Sequence, residues 1–122
     1  LERYRSEVSG GMKAYACEFD NSITVLEIEH DDTGDAVDLL ESRGHGYCIW
    51  GEDVETPIIV VDGRIRETHG YTGDHITAII AHEMGHIKLK TENESAADHW
   101  GRVALLERGN VAAADLLCRS HT

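Results

Sequence analysis

Residues 82–86 read His-Glu-Met-Gly-His. Four residues make about one helical turn, so His82 and His86 project from the same face of a helix. Two imidazoles placed this way can reach one metal ion. Glu83 is displaced around the helix and sits beside that ion, in position to handle a metal-bound water. Residues 93–98 then read Asn-Glu-Ser-Ala-Ala-Asp, which puts Glu94 and Asp98 one turn apart on the next helix. In a chain this rich in histidine and glutamate, chance yields an HExxH pattern in roughly 5% of cases. The second acidic pair makes coincidence about tenfold rarer.

These two motifs resemble those of the gluzincin metallopeptidases, the thermolysin-like zinc enzymes. In that family an HExxH helix is followed by a helix carrying a glutamate ligand in a pattern close to NExxxD. His82, Glu83 and His86 match the first motif; Asn93, Glu94 and Asp98 match the second. The resemblance covers residues 74–108, and the short chain looks most like the small single-domain members, the minigluzincins. Three departures stand out. The linker from Ile87 to Asn93 is shorter than is usual in thermolysin-like enzymes. Lys88 occupies a position where the extended motif prefers an apolar residue. The large C-terminal subdomain that supplies a transition-state histidine in bigger relatives is missing.

The resemblance implies a Zn2+ held by His82, His86 and Glu94, with a fourth position open to water. Zinc lowers the pKa of such a water to about 7 and polarises a substrate carbonyl. Glu83 would take the water's proton during attack and pass it to the leaving amine. Asp98 would accept the second ring proton of a ligand histidine, most naturally His82, and fix its tautomer. The expected activity is that of a zinc metalloendopeptidase acting on a peptide or protein. The competing metzincin pattern, HExxHxxGxxH, fails on Leu89 in place of glycine and Glu92 in place of the third histidine. Neither Met12 nor Met84 follows the helix, so no Met-turn is available, and Glu92 stays a reserve ligand.

Other residues carry weaker signals. His75 lies two turns before His82, too far to share its metal. His69 and Tyr71 precede the helix and could reach substrate, while His99 is expected to pack or face water. Cys118, His121 or Cys17 could cap the metal, since some small relatives are held inactive by a terminal segment. The bland reading of that tail is a frayed end.

The elements that must position these groups read as a small α+β domain spanning 1–122. A mixed sheet is expected to pack on the HExxH helix and the following glutamate-bearing helix. Glu2–Phe19 reads as a broken helix and Asn21–Ser22 as a turn. Ile23–His30 alternates and is rich in β-branched residues, the mark of a strand. Asp35–Arg43 reads as a helix stopped by Gly44, and Tyr47–Trp50 as a second strand. That order suggests a right-handed crossover. Pro57–Val61 is the strongest strand signal and the expected edge for an extended peptide. Asp62-Gly63 before Arg64–Arg66 has hairpin chemistry. From Asp74 the period changes to 3.6, giving one helix to about Leu89 and a turn over Lys90–Glu92. A second helix follows from about Asn93 to Arg108, with Gly109 as its capping glycine and a short helix over Val111–Leu117.

Composition bounds the partners. With 23 acidic against 11 basic residues in 122, the net charge is −12. Nucleic acid is disfavoured, because it is met by a basic face, and an anionic membrane surface is disfavoured for the same reason. Three lysines beside eight arginines fit a protein adapted to high salt and equally an acidic cytoplasmic one. The three cysteines lack CxxC spacing, which points to reduced thiols in a cytoplasmic or other reducing compartment. The first residues carry no signal-peptide core, and a start on Leu1 implies processing or trimming. The oligomeric state is left open. The alternative to an active peptidase is a catalytically weak or self-inhibited zinc module of a larger assembly, structural or regulatory in role.

Overall fold

The computed structural model describes residues 12–28, 45–63 and 73–119. Four strands and three helices form an α+β arrangement. The strands are β1 (Met12–Cys17), β2 (Asp20–Ile28), β3 (Gly46–Ile49) and β4 (Ile58–Asp62). The helices are α1 (Gly73–Leu89), α2 (Glu94–Glu107) and α3 (Val111–Arg119). The sheet order is β1-β2-β4-β3. Antiparallel pairs flank one parallel pair, β2 with β4. The expected helix over 35–43, the hairpin residues Arg64–Arg66, and His69, Tyr71 and His121 lie outside the described residues. No helix among the described residues is long and apolar enough to cross a membrane.

Three expectations are corrected. The segment before Phe19 read as broken helix, yet Met12–Cys17 is a strand paired with β2 through a turn at Glu18-Phe19. Alanine and lysine favour helix locally, and cross-strand pairing overrides that weak preference. The anticipated crossover does not join neighbours: β2 runs parallel to β4, while β3 lies outside β4 and antiparallel to it. Pro57–Val61 is not an edge either. β4 is paired on both sides, and Ile59, Val60 and Val61 are all buried. An unbroken apolar run is what a strand covered on both faces requires. Among the described residues the outer strands are β1 and β3.

The period of α1 sets what it packs against. Ile76, Ile80 and Met84, four residues apart, bury against Cys17, Ile23, Val25, Ile59 and Val61 on one face of the sheet. Each such side chain contributes about 1.5–3 kcal/mol when fully buried. A different face carries Ala78 and Ala81 to Leu105, Ala113, Ala114 and Leu117 of α2 and α3. Small residues let these helices approach closely. A Cβ on Gly85 would lie 2.7 Å from the Cα and 2.8 Å from the carbonyl carbon of Ala97. One on Gly101 would lie 2.8 Å from the Ala81 carbonyl oxygen. The two glycines therefore mark where α1 and α2 touch backbone to backbone.

Caps end the helices where the site needs them to end. α1 stops at Lys90, which adopts a left-handed φ of 51°. The Thr91 N–H then donates to the His86 carbonyl at 3.2 Å. Asn93 caps α2, its side-chain oxygen accepting from the Ala96 N–H at 2.9 Å. Gly109, at φ 77°, closes α2 while Asn110 N–H returns to the Leu105 carbonyl at 2.9 Å. The β1–β2 turn is tied to both helices. Lys88 Nζ donates to Asp20 Oδ2 at 2.7 Å, and the Arg108 guanidinium lies 4.6 Å from the Phe19 ring centre. Lys88, the departure from the resembled motif, thus fastens the end of α1 to the sheet.

Candidate metal centre

The last two turns of α1 and the first turn of α2 build the site. His82 and His86 lie one turn apart on α1, and their Nε2 atoms are 3.2 Å from each other. The short link Lys90–Asn93 folds α2 back so that Glu94, its first residue, faces them. Glu94 Oε2 is 2.9 Å from His82 Nε2, and Oε1 is 3.1 Å from His86 Nε2. One ligand atom from each of the three residues lies within 4.8 Å of the other two, so the group could hold a metal ion.

The opposite ring nitrogens are already engaged. His82 Nδ1 meets the Asp98 carboxylate. His86 Nδ1 donates to the Thr91 carbonyl oxygen at 2.8 Å. A carbonyl can only accept, so the Nδ1–H tautomer of His86 is set, and the carboxylate selects the same tautomer for His82. With Nδ1 so engaged, the two Nε2 atoms face each other and the Glu94 carboxylate, so two imidazole nitrogens and a carboxylate oxygen converge on one point. That is the donor set a divalent metal takes, and the residues fit it.

Glu83 lies on the sheet-facing side of the same turn and is only 7% exposed. Burial pushes its carboxyl above the ordinary carboxylate range, an effect opposed first by the neighbouring His82 side chain and next by a hydrogen bond from the Cys48 thiol. Glu94, by contrast, has a side chain 64% exposed, so the centre opens to solvent on the α2 side.

The structure brings His82, His86, Glu94 and Asp98 together, with Glu83 next to them on α1. Glu92 is exposed and stands outside the ligand group, as does His75. His99 is exposed. Cys17 belongs to the core, fully buried with Ile23 and Val25, and burial raises its thiol pKa. It is not a cap for the metal centre. The side chain of Cys118 lies outside the described residues. Sequence reasoning missed three contributors: the Thr91 carbonyl, the Cys48 thiol and Gly85 as the helix contact. Only Gly85 left a trace, as a glycine inside a helix where it costs stability unless packing requires it. No protein-family model matches the chain, and neither the curated proteins nor the solved structures contain a match to it.

Proposed function

We propose that the protein is a zinc-dependent endopeptidase. The observation that carries this reading is the convergence of His82 Nε2, His86 Nε2 and a Glu94 carboxylate oxygen beside the buried carboxylate of Glu83. Two imidazoles and a carboxylate suit zinc, and a purely structural zinc site is closed by four protein ligands. A fifth group such as Glu83 has no use in a structural site. The resemblance of both motifs to those of gluzincins supports the same conclusion.

A zinc ion held by His82, His86 and Glu94 would supply a Lewis acid toward water and a peptide carbonyl. Glu83 accepts a proton from the attacking water as its oxygen bonds to the carbonyl carbon. It returns that proton to the amine nitrogen as the C–N bond breaks. Asp98 and the Thr91 carbonyl hold the two rings so that their Nε2 atoms stay aimed at one point. An extended peptide would lie along β3, which approaches Glu83 at Gly46 and is an outer strand among the described residues, and pair with it through backbone hydrogen bonds.

Purified protein loaded with zinc is the test, with Glu83→Gln as its partner variant. The wild type should bind about one zinc per chain and cleave internal bonds of unstructured peptides; the variant should keep the zinc and lose cleavage. Zinc-binding protein that cleaves nothing would favour the module reading. No zinc binding would remove both.

A further inference from the structure

β3 is short, yet it approaches α1 closely. Gly46 is buried, and a Cβ on it would clash with Ile79 Cγ2 and lie 3.7 Å from Glu83 Oε2. With the strand this near, any larger residue would have to displace the Ile79 side chain. Side chains alternate along a strand, so Cys48 faces the helix from the same side as Gly46. Cys48 packs on the cluster that includes Ile76, Ile80 and Met84. Its thiol donates a hydrogen bond to the Glu83 carboxylate. Glu83 is itself buried, with His82, His86 and Cys48 among the groups that act on its carboxylate. A buried carboxylate that must aim one oxygen at the metal centre needs something to hold the other.

We propose that Cys48 is a positioning residue for Glu83: its S–H, carried by the outer strand, fixes the carboxylate so that one oxygen faces the metal centre. This rests on the reading of Glu83 as the proton carrier in peptide hydrolysis. The thiol is a weak donor, so it orients the carboxylate without neutralising it. It also ties the base to β3, the strand on which a peptide would lie, so strand and base move together.

Two measurements test the assignment. The first does not depend on activity. The S–H stretching band of Cys48, identified as the infrared band lost in Cys48→Ser, should sit at the low frequency of a hydrogen-bonded thiol. It should rise in Glu83→Gln, whose amide is a poorer acceptor. A band at the free-thiol position, or one unmoved by Glu83→Gln, overturns the proposal. The second is kinetic. In zinc-loaded protein, Cys48→Ala should lower kcat roughly ten- to a hundredfold, with KM and zinc content held. Cys48→Ser, which keeps a donor at the same place, should recover most of that loss, whereas a packing role alone would not separate serine from alanine. An alanine variant with wild-type kcat also overturns the proposal. Wild-type protein that binds zinc and cleaves no peptide would defeat the peptidase reading instead, and the infrared band would then decide the thiol–carboxylate contact by itself.

Discussion

Replacing Gly85 by alanine probes how two helices make one metal centre. In an ordinary exposed helix this change stabilises by roughly 1 kcal/mol, because alanine orders more cheaply than glycine. Here the added methyl would lie 2.7–2.8 Å from the Ala97 Cα and carbonyl carbon and closer still to its oxygen, all of them backbone atoms. Ordinary contact begins near 3.4 Å. Backbone cannot rotate aside as a side-chain tip can, so α2 must withdraw by roughly 1 Å in a close-packed interior. Overpacking of this kind costs about 1–3 kcal/mol, which outweighs the helix gain. The larger effect is expected on binding at the proposed metal centre. Ala97 adjoins Asp98 and lies one turn from Glu94, so both withdraw with α2. Metal sites tolerate ligand displacements of only about 0.2 Å. Zinc affinity should therefore fall at least about tenfold to a hundredfold, the range seen when supporting contacts of a ligand are lost. Competition against a chromophoric chelator measures the affinity, and urea unfolding of metal-free protein measures the stability. A variant that is more stable than wild type and binds zinc equally well would refute the reasoning, since it would mean that α1 and α2 do not meet at Gly85.

Asp98→Asn should keep the fold and weaken zinc binding about ten- to a hundredfold, because the amide can present its N–H to His82 Nδ1 and favour the wrong tautomer; unchanged affinity in a chelator competition would remove Asp98 from the site. Lys88→Met removes the partner that, with Ser22, holds the Asp20 carboxyl down to about 2. A depressed carboxyl stabilises the fold above its unfolded pKa and loses that contribution as pH falls through the folded one. Because Lys88 and Asp20 are partly exposed, the variant should lose only about 0.2–1 kcal/mol at neutral pH. Urea titrations should show that gap closing between about pH 4 and pH 2 and shrinking in high salt. A gap that widens on acidification would contradict the ion pair.

The helical half of the protein was legible because its signals are local. Ile76, Ile80 and Met84 declare a helix by their spacing alone. His82 and His86 share its face, and Asn93 announces the next helix four residues after Leu89. The liganding set spans only residues 82–94, so few long-range pairings had to be guessed. The sheet was less legible. Met12–Cys17 has no strong strand residues beyond Tyr15 and Cys17, and its partner supplies the order. Pro57–Val61 was recognisable as a strand and was expected as an edge, although an unbroken apolar run is what an interior strand carries. The Cys48–Glu83 contact joins residues 35 apart through the packing of β3 on α1, and nothing in either neighbourhood points to the other. The Thr91 carbonyl is a backbone group aimed by the left-handed turn at Lys90, and side-chain motifs do not report such groups.

The same turn links the end of one helix to the chemistry of the site. A glycine is the usual residue after a helix because it adopts positive φ without strain, yet here Lys90 takes that conformation. The turn directs the Thr91 carbonyl back to His86, lets Thr91 Oγ1 accept from the Asn93 N–H at 3.1 Å, and sets Asn93 to cap α2. Four residues thus end one helix, orient one imidazole and start the helix that brings Glu94 to both. These contacts are hydrogen bonds of the protein itself and rest on apolar cores. The convergence of the rings on Glu94 thus follows from the turn and the caps that set α2 against α1.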